Sequence, residues 1–362
     1  VKTIMKTAIG HAILAAVLTL ASAAETRRVY FVGNSLTMST TLDRVHGLFG
    51  QRGIDLQFGS QLSAGKSLIR HWNYQNEPAE KWFCWETCVP QGPTFLPHPN
   101  FYVVKPAEWR FGRYDAALAQ HKWDAVVLQA YQSPLRDDLD AIPRFIRLAL
   151  EHGAAENFFI YETWPRRPKL TGGAPADGNV GVDIDYAAEW SAPYTAGADE
   201  TGFKTLEHCA SRDYFRRLHA ALAEKLPELK KPIRRIPVGE VLFAIDAKIK
   251  DGSLPGLKEL AGRDPGKLPG LRSGTDFSKG ANILYADAIH FNPMPHQTGV
   301  LGNLISGTTL FTVLSGQDPV GLSAAAYGFD VGKDAALIRA VQETIRDVVS
   351  ADPLTGVRGT KN

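Results

Sequence analysis

Apolar runs of strand length alternate along this chain with stretches whose apolar positions recur every three or four residues. Arg27–Val32 reads as a first strand, Ile54–Phe58 as a second, Ala125–Gln129 as a third and Asn157–Tyr161 as a fourth. Arg235–Gly239 reads as a short fifth strand. Between them the helical period appears in Leu42–Gln51, stopped by Gly53, and in Asp137–His152, closed by Gly153. It appears again in Ser211–Leu226, where Ser211 suits an N-cap, and an apolar helix is expected over Gln297–Leu314. Strands alternating with helices predict an α/β fold of three layers, α/β/α, around a central parallel five-stranded sheet.

Three regions break this rhythm. Residues 72–112 are aromatic and rich in proline, 164–208 are rich in Gly, Ala and Asp, and 250–281 hold several Gly, Pro and Lys. They read as long loop insertions in a single domain spanning 25–352, with a flexible tail over 353–362. Lys2 and Lys6 precede an apolar run from Ala8 to Leu20, which ends in Ala21-Ser22-Ala23-Ala24. Residues 1–24 therefore read as a cleaved export signal, and the expected location is the bacterial periplasm or beyond. The alternative is an uncleaved N-terminal anchor. No other apolar segment is long enough to span a bilayer, so no stable membrane insertion is expected once the signal is cleaved.

Of the 362 residues 44% are hydrophobic, which is ample for a core, and the formal net charge is +2 with no basic stripe. Nucleic acid is therefore not an expected partner. Three cysteines are present: Cys84, Cys88 and Cys209. In an oxidising compartment Cys84 and Cys88 can close a small disulfide loop, leaving Cys209 free; three buried thiols are the alternative. No His lies within the Cys84–Cys88 loop, so a zinc site is not expected. No cofactor is implied elsewhere.

The chemistry concentrates at two places. Val29-Tyr30-Phe31-Val32-Gly33-Asn34-Ser35 is an apolar strand that stops abruptly in Gly-Asn-Ser. A serine there sits at the carboxyl end of a strand, at the mouth of an α/β sheet, where open-sheet proteins bind ligands. Far downstream stands Asp287-Ala288-Ile289-His290. An early Ser with a late Asp and His supplies the parts of a hydrolytic triad: Ser35 as nucleophile, His290 as general base and Asp287 as its orienting partner. His71 and His296 compete for the base role, but neither has an Asp three residues earlier.

Several blocks in this order resemble the SGNH/GDSL hydrolase superfamily. Gly33-Asn34-Ser35-Leu36 is similar to its first block, with Asn where Asp is more usual. Ser63-Ala64-Gly65-Lys66 resembles the second, and Asp287-Ala288-Ile289-His290 the last. Trp123–Gln129 through Ser133, Tyr161-Glu162-Thr163-Trp164-Pro165, and Phe291-Asn292-Pro293 with Gly299 and Ser315-Gly316-Gln317 resemble flanking segments. The resemblance implies a flavodoxin-like sheet and an acyl-enzyme route. It implies an oxyanion hole built from the backbone N–H of Ser35, the backbone N–H of Gly65 and an Asn side chain of a Gly-x-Asn-Asp block. That block is absent after the third strand. Gln129 stands at the corresponding strand end and is either the third donor or a core amide bonded to a neighbouring loop. Asn34 and Trp164 are expected beside the substrate.

The resulting expectation is an exported carboxylic-ester hydrolase, with acylated polysaccharide or oligosaccharide as substrate. The aromatic residues between Trp72 and Phe111 suit either stacking on sugar rings or a packed mini-core. Arg166 and Arg167 suit either an acidic sugar or solvent. A lipid or small-ester esterase is the alternative within the class. A carbohydrate-binding or envelope protein with a decayed site is the alternative outside it, and the missing Gly-x-Asn-Asp block favours that rival.

Overall fold

The computed structural model describes residues 25–76, 83–86, 96–97, 102–103, 111–131, 133–165, 185–195, 210–258, 284–285, 289–291 and 301–358. Residues 1–24, read above as an export signal, lie outside them, as do Asp287, His296, Cys88, Cys209 and the side chain of Cys84.

The central sheet is built from β1 (Glu25–Gly33), β2 (Ile54–Leu62), β3 (Phe83–Glu86), β6 (Ala125–Gln129), β7 (Phe158–Tyr161) and β8 (Arg234–Ile236), in the order β3-β2-β1-β6-β7-β8. A separate two-stranded pair joins β4 (Leu96–Pro97) to β5 (Tyr102–Val103). Five neighbouring strands of the sheet, β2-β1-β6-β7-β8, are parallel, and β3 adds an antiparallel edge beside β2. Numbered along the chain, the five parallel strands run 2-1-3-4-5, the flavodoxin-like order. In this order the winding reverses between β1 and β6, and open α/β sheets bind their ligands outside the carboxyl ends of the strands at such a point.

The parallel strands are apolar because both faces of the sheet are covered. Val126, Val127 and Leu128 of β6 are all buried, as are Val29 to Val32 of β1. In one helical group α9 (Leu301–Ser315) packs with α2 (Leu42–Gly50), α8 (Val238–Lys250) and α10 (Ala335–Ala351). In the other, α5 (Leu135–Glu151) packs with α3 (Leu68–Trp72), α4 (Tyr114–Gln120) and α7 (Arg212–Lys225). Aromatic contacts fill both groups. Phe49 meets Phe311 edge to face at 5.2 Å, and Trp72 stacks on Tyr114 at 5.0 Å. From Leu301 to Leu314 every residue of α9 is buried, which explains why the helix carries no charged residue on any face. Each Leu, Ile or Phe so buried contributes about 1.5–3 kcal/mol. No helix among the described residues is long and apolar enough to cross a membrane.

Besides the added edge strand β3, the structure departs from the sequence reading in further places. The fifth strand ends at Ile236, and the expected strand residues Val238 and Gly239 open α8 instead. The reason is periodic: Val238, Val241, Leu242, Ile245 and Ile249 form one buried stripe, which a strand cannot present. Residues 335–351 form α10, whose buried Leu337, Ile338, Val341, Ile345 and Val349 follow the same rule. The tail is not loose at its start. Pro353–Thr355 forms a short 3-10 turn, Thr355 is fully buried and its hydroxyl donates to Val349 O at 2.8 Å. Just before it, Asp352 Oδ2 lies 3.0 Å from Arg235 Nη1. The same guanidinium pairs with the buried Glu162 at the end of β7, and His219 of α7 lies 3.2 Å from that carboxylate. This ion group joins β7, β8, α7 and the end of α10.

Asp138, on the first turn of α5, is fully buried and accepts a hydrogen bond from the Tyr214 hydroxyl. Its other oxygen has no hydrogen-bond partner among the described residues. Burial pushes its pKa up from 3.8 to about 7. The folded state therefore binds this proton more tightly than the unfolded chain. The associated stability is full below about pH 4 and is lost as pH rises through about 7. Asp138→Asn keeps an acceptor for Tyr214 without the charge. Thermal unfolding should show the variant gaining on the wild type at pH 8 and the gain vanishing at pH 4. An equal difference at both pH values contradicts this account.

Candidate active site

The nucleophile candidate sits where β1 stops. Asn34 is the N-cap of the short helix α1 (Ser35–Ser39), and its Oδ1 accepts Leu36 N at 3.0 Å. Ser35 is the first residue of α1 and is half-buried. After β2 the chain turns through Ser63-Ala64-Gly65-Lys66, with Gly65 in the left-handed region at φ +66°. That conformation favours glycine because it carries no Cβ. Two bonds hold this turn against the first. Ser63 N donates to Gly33 O at 3.1 Å, and Asn34 Nδ2 donates to Lys66 O at 3.1 Å. Ser35 and Gly65 thus stand on adjoining turns. Neither backbone N–H donates to an acceptor among the described residues.

Gln129, at the end of β6, reaches the same turn. Its Oε1 accepts Asn34 N at 3.0 Å, Thr37 N at 3.1 Å and Thr37 Oγ1 at 2.6 Å. Its Nε2 donates to Asn34 Oδ1 at 2.9 Å. Only 1% of the residue is exposed. Of the two roles read from the sequence, the structure shows the amide bonded to a neighbouring loop. Gly33 is required by this arrangement: a Cβ there would lie 2.5 Å from Thr37 Oγ1 and 2.7 Å from Gln129 Oε1.

The far end of α1 is held as firmly. Thr40 Oγ1 and Tyr161 OH are 2.6 Å apart, which links α1 to the end of β7. Burial pushes the Tyr161 pKa up, so the phenol keeps its proton. Asn303 of α9 donates to Ser39 O and to Thr41 Oγ1, and its Oδ1 accepts Arg44 Nη1 at 2.7 Å. Thr41 takes φ +61°, and it is the non-glycine residue with positive φ among those described. A β-branched residue there stores on the order of 1–3 kcal/mol of strain. Thr37, Tyr161 and Asn303 were not anticipated as supports of this helix. An Asn near the start of a helix whose other polar residues are all Ser or Thr was the available signal.

His290 is half-buried and comes to the same edge of the sheet by another route. Trp164, three residues beyond β7, donates from Nε1 to Ile289 O at 2.7 Å. Its ring stacks on Phe291 with centroids 3.9 Å apart and planes at 23°. Tyr285 OH donates to Pro165 O at 3.1 Å, and Gly302 N donates to Leu284 O at 3.2 Å. The His290 segment is thereby fastened to the β7 exit and to the start of α9. Ser35 follows β1, Gly65 follows β2 and His290 lies against the segment after β7, so all three belong to the carboxyl edge.

Asn34 and Trp164, expected beside the substrate, are bonded inward. Both are fully buried, with their polar atoms engaged within the protein. Asn34 joins the two turns, and Trp164 braces the histidine arm. His71, the competing histidine that is described, is also fully buried, with Nδ1 3.2 Å from Gln61 Nε2. No group of three or more His, Cys, Asp and Glu side chains among the described residues is arranged to hold a metal ion.

No protein-family model matches this chain, and no curated protein matches it. Among solved structures the chain is similar to the crystal structure of a DUF4886 family protein from Bacteroides uniformis. The TM-score is 0.51 at 16% identity, covering 90% of this chain and 95% of that one. This likeness extends to the fold. A "putative SGNH hydrolase" from Slackia heliotrinireducens also matches, at 16% identity over 79% of this chain and 98% of that one. Its TM-score of 0.35 is below that of a shared fold.

Trp164→Phe tests the histidine brace. It keeps an aromatic ring against Phe291 and removes the N–H aimed at Ile289 O. Urea unfolding should show a loss of about 1–3 kcal/mol, as a lower midpoint with an unchanged slope. A midpoint equal to that of the wild type contradicts the brace.

Proposed function

We propose that this chain is a serine hydrolase of carboxylic esters, of SGNH type, acting through an acyl-enzyme intermediate. The observation that carries the reading is the pair of backbone N–H groups, on Ser35 and Gly65, that have no acceptor among the described residues and stand on two turns tied together at the sheet's carboxyl edge. A half-buried serine hydroxyl beside two such donors is the arrangement that acyl transfer needs. His290 takes the Ser35 hydroxyl proton as the oxygen attacks the ester carbonyl. The resulting oxyanion accepts hydrogen bonds from the two backbone N–H groups. His290 then returns the proton to the leaving alcohol, and water repeats the cycle on the acyl-enzyme. Asp287, three residues before His290, is assigned the role of orienting the imidazole.

The substrate class rests on the sequence. The export-like N-terminus and the density of aromatic residues between Trp72 and Phe111 favour acylated carbohydrate outside the cytoplasm, with acetyl as the group removed. Ser35→Ala and His290→Ala should each abolish turnover of p-nitrophenyl acetate while thermal unfolding stays near that of the wild type. The wild type should also release acetate from acetylated glycans. Ser35→Ala turning over at the wild-type rate would refute the nucleophile. Ester turnover without acetate release from any acetylated glycan would remove the carbohydrate assignment alone.

A further inference from the structure

We propose that Gln129 is a positioning residue for the nucleophile: from the end of β6 its amide holds the backbone on both sides of Ser35. The proposal rests on the reading of Ser35 as nucleophile and adds to it how the serine is held.

Three observations carry it. The first is where the four bonds go. The residue immediately before Ser35 takes two of them, through Asn34 N and Asn34 Oδ1, and Thr37, two residues after it, takes the other two. Ser35 itself is not touched, so its hydroxyl and its N–H stay available. The second is the length of α1, five residues. An isolated helix of that length does not hold its shape in water, because nucleation is not recovered by so few bonds. Its geometry must be imposed from outside. Gln129 imposes it from a strand that pairs with β1 in register, Val32 against Leu128.

The third is the match between the amide and its partners. The oxygen meets three donors and the nitrogen meets an acceptor, so the opposite orientation would set N–H groups against N–H groups. A carboxylate could accept from Asn34 N and Thr37 but would face Asn34 Oδ1 oxygen to oxygen. A hydrocarbon of the same size would leave the buried N–H groups of Asn34 and Thr37 without this acceptor. Among an amide, a carboxylate and a hydrocarbon of this length, only the primary amide fits. The close approach also explains why residue 33 is glycine, since a Cβ there would collide with both Gln129 and Thr37.

The chemical consequence is specific. A small displacement of an attacking atom can cost about a hundredfold in rate without changing ground-state affinity. Loss of the clamp should therefore appear in kcat rather than in KM. A residue that merely stabilised the fold would lower the folded fraction and leave kcat per folded molecule intact.

The experiment compares full-length wild type, Gln129→Leu, Gln129→Glu, Thr37→Val and Ser35→Ala on p-nitrophenyl acetate, with the folded fraction of each sample measured by circular dichroism. Gln129→Leu and Gln129→Glu should each lower kcat roughly a hundredfold per folded molecule, with KM within about twofold of wild type. Thr37→Val removes only the hydroxyl bond and should lower kcat severalfold with KM again unchanged. Unchanged kcat per folded molecule in both Gln129 variants overturns the proposal, and so does a loss expressed entirely in KM. If neither Gln129 variant folds, Thr37→Val decides: wild-type kcat in that variant overturns the clamp. Ser35→Ala separates the two levels. Turnover that survives in Ser35→Ala overturns the nucleophile reading itself. Turnover lost in Ser35→Ala but retained in the Gln129 variants overturns only the positioning role.

Discussion

One buried amide bridges the two strands between which the sheet reverses its winding order. Gln129 reaches from β6 across to the end of β1 and takes up the N–H groups of Asn34 and Thr37, which would otherwise be buried donors in need of an acceptor. An unmet buried donor costs about 1–3 kcal/mol, so the clamp is a condition of the local fold as well as an ornament of the site. Around it the remaining features become intelligible. Gly33 leaves the space, Asn34 turns its side chain to both neighbouring elements, and α1 begins at a serine whose own polar atoms are left for other work.

The same economy recurs at the other supports of the carboxyl edge. There, three buried side chains with polar groups fix turns and loops. Tyr161 and Asn303 hold the far end of α1, and Trp164 holds the carbonyl beside His290. The strain at Thr41 is retained because Asn303 and the first turn of α2 bind that residue from both sides. Reacting groups borne by short turns gain precision only if rigid elements hold those turns. Here the rigid elements are the parallel strands and the buried helix α9, and the bonds between them are made by buried polar groups. At the end of β6 the same pattern holds, for the Gln129 amide faces inward.

The sheet was legible in the sequence because fully buried parallel strands must be short, apolar and β-branched, and four of the five announced themselves that way. The turn bearing Ser35 was legible because a strand that breaks into Gly-Asn-Ser has few local solutions. Helix α8 was missed because Arg235-Ile236-Pro237-Val238-Gly239 looks extended when taken alone; the deciding stripe lies in the residues after it. The antiparallel edge strand β3 was missed because it sits in an aromatic segment with no alternating pattern. For Gln129 the sequence left two roles open, one of them the observed bonding to a neighbouring loop, and for Asn34 and Trp164 the inward role was not legible. Whether a polar or aromatic side chain faces a substrate or the core depends on partners that are distant in sequence. The hydrogen bonds of Gln129 span 92 and 95 residues, and that of Trp164 spans 125. Local composition carries no record of such pairings.

The central claim is that the chain presents one activated serine at the switch point of its sheet. Peptide mapping by mass spectrometry after reaction of the folded protein with a fluorophosphonate tests it most directly. The account predicts a single adduct, on Ser35, that disappears when the protein is unfolded before the reagent is added. An adduct on a different serine, or a folded protein that takes up no reagent, would contradict it.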